Sequence, residues 1–87
     1  MRKLNEKLAL LLSLPKEIAM DLPVVTAIGR GEISIENYKN LIEFSEETIR
    51  IRTKDGALTV AGNRLTLKQI TSENLVITGR IAGISYE

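Results

Sequence analysis

The side chains best equipped for chemistry are basic ones in the second part of the chain: Arg50, Arg52, Lys54, Arg64, Lys68 and Arg80. Arg50, Arg52 and Lys54 alternate with Ile49, Ile51 and Thr53, and a period of two puts alternate side chains on one face of a strand. A basic face of this kind can track a nucleic-acid backbone, with Arg50, Arg52 and Arg64 carrying the contacts. The interleaved aromatics on which single-strand binders stack bases are missing. Outward charges also keep a sheet face soluble and its edges unpaired. A solvated face is therefore the leading reading, and a nucleic-acid-binding module is the alternative.

Other chemistry finds little support. Asp21, Glu32, Glu36 and Glu43 are carboxylates, but nothing in their spacing singles out a pair for acid–base work. Gly29-x-Gly31 is an incomplete phosphate-loop pattern with no Lys-Ser/Thr after it, and a strand rather than a helix follows, so it reads as a turn. The chain has no His and no Cys, which removes thiolate nucleophiles, Cys/His zinc sites, disulfides and the usual general base near neutral pH. No enzyme activity, no metal and no cofactor are expected. The absence of disulfides is consistent with a reducing compartment.

The elements that must position these side chains are read from apolar alternation. Ile49/Ile51, Leu58/Val60, Leu65/Leu67 and Leu75/Ile77 each skip one residue, and Lys54-Asp55-Gly56, Gly62-Asn63 and Thr71-Ser72-Glu73-Asn74 supply turn chemistry between them. Residues 24–28, 32–36 and 41–44 add earlier strands, separated by Gly29-Arg30-Gly31 and Asn37-Tyr38-Lys39-Asn40. The expected fold is all-β: a curved antiparallel sheet or small sandwich of seven or eight short strands after one or two N-terminal helices. A β-solenoid is the alternative, because the runs recur at similar spacing. The expected core is Ile35, Ile42, Phe44, Ile49, Ile51, Leu58, Val60, Leu65, Leu67, Leu75, Ile77 and Ile81, with Arg50 and Arg52 facing solvent.

Two segments follow from this, residues 1–22 as a helical N-terminal segment and residues 23–87 as the β domain. Within 1–14, Leu4, Leu8, Leu11 and Leu12 fall on one face of a helix. That stripe can pack on the sheet, on a protein partner, or on a membrane surface. A signal peptide is disfavoured, because no small-x-small cleavage site follows the short apolar run. No apolar run approaches the ~18 residues of a transmembrane helix. Net charge is +1 overall, but residues 1–47 hold six Lys/Arg against eight Asp/Glu, and residues 48–87 hold six against three. Head-to-tail association between copies would bring these unlike regions together, so a homo-oligomer is a further expectation.

The order of these pieces along residues 14–86 resembles the YabP/YqfC family of sporulation proteins, and its YqfC branch most. LPKEIAMDLPVVTAIGRGEISIENYKNLIEF and DGALTVAGNRLTLKQITSENLVITGRIAGISY carry the likeness, with Met20-Asp21-Leu22-Pro23, Ile35-Glu36-Asn37, Gly56-x-Leu58-x-Val60-x-Gly62, and Gly79-Arg80-Ile81 with Tyr86 as the more specific parts. The resemblance implies a small mother-cell protein of endospore-forming bacteria, cytoplasmic or associated with the forespore membrane or spore envelope. It implies action late in spore development without catalysis, as an assembly, scaffold or adaptor component. The YqfC branch is associated with a membrane-bound sporulation protein, YqfD, so a YqfD-like protein partner is implied too. No catalytic residues carry over. Gly56, Gly62, Gly79 and Tyr86 match the family's recurrent positions and read as structural. The interaction candidates are Leu4, Leu8, Leu11, Leu12, Arg50, Arg52 and Arg64.

Overall fold

A computed structural model describes residues 22–87 of the chain. They form β1 (Val24–Ile28), β2 (Glu32–Glu36), β3 (Asn40–Phe44), β4 (Thr48–Thr53), β5 (Gly56–Ile70) and β6 (Asn74–Tyr86). All six join one antiparallel sheet in the order β1-β2-β6-β5-β4-β3. The sheet is open, with β1 and β3 at its two ends, and its antiparallel pairing excludes the solenoid alternative. The N-terminal helices expected over 1–22 lie almost wholly outside the described residues.

The strand count is lower than expected because the two longest strands bend rather than break. Gly62-Asn63 reads as a turn in sequence, yet β5 runs through it for 15 residues, and β6 runs through Gly79 for 13. Their mutual register slips between Ala61 and Gly62, between Asn63 and Thr66, and between Leu67 and Gln69. Each slip is a β-bulge, which bends a strand and steepens its twist without ending the pairing. At the bend the two backbones nearly touch. A Cβ on Gly62 would lie 2.1 Å from the Arg80 carbonyl oxygen, and one on Gly79, whose φ is +139°, would lie 2.7 Å from that of Arg64. Only glycine permits this mutual approach.

The bend divides the sheet into two arms. In the first arm, β2 pairs with residues 74–78 of β6, which pair in turn with residues 66–70 of β5. In the second, β4 pairs with residues 56–61 of β5, which pair with residues 83–86 of β6. Alternation gives each arm one apolar face: Ile33, Ile35, Leu75 and Ile77 in the first, Ile49, Ile51, Leu58 and Val60 in the second, all at most 1% exposed. Side chains from both arms form a single apolar cluster, completed by Tyr38, Leu65 and Ile81. The sheet therefore folds over so that its two apolar faces share one core, as facing sheets do.

Most of the expected core is buried, and Leu67 packs against it from a half-buried position. Ile42 and Phe44 are corrections. The β3–β4 register slips between Leu41 and Glu43, which leaves Ile42 as the bulged residue on an edge strand, 37% exposed. Phe44 is paired with Ile49, but it ends that same edge strand and has no neighbour on its outer side among the described residues. Two core members lie outside the expected set. Ile33 belongs to the alternation of β2, where the Ile33-Ser34-Ile35 spacing already signals it. Tyr38 lies in the β2–β3 connection and reads as a turn residue. Asn37 before it adopts a φ of 65°, and the Asn37 and Tyr38 amides both donate to the Glu73 carbonyl. The Tyr38 ring is thereby turned inward, where its hydroxyl donates to the Thr71 carbonyl.

Candidate functional site

The expected basic candidates separate. On β4, burial of Ile49 and Ile51 forces Arg50 and Arg52 to the outer face. Arg50 is already engaged there: its Nε and Nη2 donate to the Glu87 carboxylate at 3.0–3.3 Å, and its Nη1 lies 3.9 Å from Glu43. Thr59 adds a hydroxyl contact to Glu87. Arg52 is exposed beside Asn40 and Ala57 in the neighbouring strands. Arg64 is elsewhere, at the bend, so the three arginines do not form one face. Leu4, Leu8, Leu11 and Leu12 lie outside the described residues. Tyr86 is 73% exposed and leaves its ring largely in solvent.

Three features of the described surface have the makings of a site. The first is the edge strand β1. Among the described residues it pairs only with β2, in unbroken register from Val24↔Glu36 to Ile28↔Glu32. Its sequence VVTAI holds no charge, no proline and no bulge, and Val24 and Ile28 are 41% and 62% exposed. The second is the opposite edge, β3, which carries Glu43 and the Ile42 bulge, both devices that blunt an edge.

The third is the bend itself. The turn between β1 and β2 and the turn between β3 and β4 both reach it. The Ile81 and Gly79 amides donate to the carbonyls of Arg30 and Gly31 at 2.9 and 3.2 Å. The Gly62 and Leu65 amides donate to those of Glu47 and Glu46 at 3.0 and 2.8 Å. These bonds bring the two turns to opposite sides of the crossing of β5 and β6. An open groove of about 890 Å3 results, lined by Glu46, Glu47, Asn63, Arg64, Gly79 and Arg80. A second hollow of about 560 Å3 shares Asn63, Gly79 and Arg80 with it and adds Arg30. Of these residues the sequence points to Arg64 as an interaction candidate and to Arg80 only as one of the basic residues on later runs, because the turns that bring Arg30, Glu46 and Glu47 here are distant in the chain. Among the described residues no group of three Asp or Glu side chains converges to hold a metal ion.

Comparison with known proteins agrees with the order of motifs read along the chain. The family model described as the YabP family matches residues 22–87, the whole of the described sheet. The chain is 36% identical over 75 residues to a Bacillus subtilis (strain 168) protein named "Uncharacterized protein YqfC", covering 86% of this chain and 81% of that one. The six-stranded folded sheet is thus the region that the family model recognises, and this chain belongs to the YabP/YqfC family.

Proposed function

We propose that the protein is a non-enzymatic adaptor or scaffold component acting in late spore development, and that it docks to other proteins by strand addition at β1. Family membership supports the process, and the single observation that carries the docking mode is the edge of β1, which no described residue covers or blunts. A free strand edge presents unpaired N–H and C=O groups, and a second chain can satisfy them by extending the sheet. Natural sheets usually blunt such an edge with charge, proline or a bulge. β3 is blunted in that way and β1 is not. A YqfD-like membrane-bound protein and a second copy of the chain are the two partners proposed for this edge. The nucleic-acid alternative gains nothing from the geometry, since Arg50 is held by two glutamates and Arg64 lies at the bend.

The experiment is sedimentation of the full chain over a concentration series, alone and with candidate membrane partners, beside Thr26→Lys. Thr26 is exposed in the middle of β1, so lysine there adds a charge to the edge without entering the core. Association that the substitution abolishes supports strand addition at β1. Association that Thr26→Lys leaves unchanged, or no association at all, removes it.

A further inference from the structure

The groove at the bend is assembled in an unusual way for a surface hollow. Arg64 and Arg80 line it, Arg30 lines the adjoining hollow that shares Asn63, Gly79 and Arg80 with it, and none of the three makes an ion pair or side-chain hydrogen bond among the described residues. The other well-placed cations, Arg50 and Lys68, are each paired with a glutamate. Glu46 and Glu47 line the same groove, yet among the described residues neither is paired with an arginine. Arg64 also holds a left-handed backbone, with a φ of 53°. A long side chain rarely occupies that region, which favours glycine or asparagine, and the neighbouring Asn63 would suit it better. A residue held in a disfavoured conformation beside a groove invites a functional reading. The four backbone hydrogen bonds from the two turns fix the main chain beneath all five charged residues.

We infer that this groove and the hollow adjoining it bind an acidic peptide segment of a protein partner, with Arg64, Arg80 and Arg30 taking its carboxylates. Guanidinium groups pair with carboxylates through two parallel hydrogen bonds, a geometry that fixes the ligand as well as attracting it. Phosphate would fit the same fork, but a polyanion such as nucleic acid would run its charge against Glu46 and Glu47. The lining also offers no aromatic ring on which a base could stack. Three positive and two negative charges along the groove and the adjoining hollow suit a segment rich in glutamate or aspartate with a basic residue to meet Glu46 and Glu47. The inference extends the adaptor reading by naming a second contact and its chemistry, and the site is separate from β1.

The test is an NMR titration of the full-length protein with a synthetic glutamate-rich peptide carrying one lysine, beside a single-stranded oligonucleotide of similar length. Amide shifts should concentrate at Arg30–Gly31, Asn63–Leu65 and Gly79–Ile81. Arg80→Ala and Arg64→Gly should each weaken peptide binding about five- to tenfold, as the loss of a charge-assisted hydrogen bond does. Glycine is at home at a φ of 53°, so Arg64→Gly removes the side chain while keeping the backbone, and a loss of binding cannot be assigned to misfolding. Thr26→Lys should leave peptide binding unchanged, which separates failure of this site from failure of the β1 edge. Shifts centred on Arg50 and Arg52, unchanged affinity in both arginine variants, tighter binding of the oligonucleotide than of the peptide, or no binding of either would each overturn the inference.

Discussion

The two arms of the sheet are alike on their inner faces and unlike on their outer ones. Inside, each contributes four aliphatic side chains at alternating positions, all essentially inaccessible to water. Outside, the first arm presents Val24, Thr26 and Ile28 on β1, opposite Glu36, Ser34 and Glu32 of β2. There Lys68 pairs with Glu32 at 3.5 Å. The second arm presents Arg50 bridged to Glu43 and Glu87, with Arg52 beside them. Burial explains the likeness, because a shared core accepts only apolar side chains at close packing. It leaves the outer faces unconstrained. The contrast between an uncharged edge at β1 and a charged, bulged one at β3 is therefore where a role in association can be written without disturbing the fold.

The comparison is broken most severely at the point both arms share. Gly62→Ala should cost roughly 4 kcal/mol or more, or prevent folding, because its methyl would meet the Arg80 carbonyl rather than a side chain that can move. Chemical unfolding measures this, and a mild effect would mean that the two backbones separate easily. Next come paired truncations, one in each arm. Ile35→Ala and Ile51→Ala should each cost ~2–5 kcal/mol through lost burial and a residual cavity. Similar values would support a single core with equal shares, whereas a small cost in one arm would show that the arm is loosely packed. Tyr38→Phe sharpens the comparison at the connection between the arms, and should lose about 1 kcal/mol with the hydrogen bond to Thr71. The smallest effects belong to the outer face of the second arm. Arg50→Ala should cost about 1 kcal/mol at most, as part-exposed ion pairs do, with the difference shrinking at high salt. Arg52→Ala should change stability by no more than about 0.5 kcal/mol.

Much of this fold is legible in the residues, and the reason is local. Period-two alternation requires only the near neighbours of each residue, so β2, β4 and the buried positions of β5 and β6 can be read directly. Gly62 and Gly79 are visible as special positions, but their meaning is not. Glycine serves a turn as readily as a close backbone approach, and only the β5–β6 register separates the two. Ile42 and Phe44 depart from the expected core for a related reason. Alternation shows which side of a strand is apolar, while exposure depends on whether the strand is central or at an edge, and that is a property of the sheet order. The groove at the bend was the least legible part. Arg30, Glu46, Arg64 and Arg80 come from four separate stretches, and no spacing in the sequence predicts that two turns will meet at one crossing.

Because β5 and β6 each pass from one arm into the other, neither arm can come apart while the other stays whole. Melting the first arm would strip partners from residues 66–70 and 74–78, whose continuations are the β5 and β6 strands of the second. Unfolding by heat or denaturant should accordingly be a single cooperative transition, with coincident curves from different probes. Amide hydrogen exchange should reveal the grading within it. The central amides of β5 and β6 should open only with the whole molecule, while β1 and β3, each held by one neighbour, should exchange through smaller openings at lower free energy. The strand that offers an edge to a partner would then also be one of the easiest to peel away, and a partner bound there should slow its exchange first.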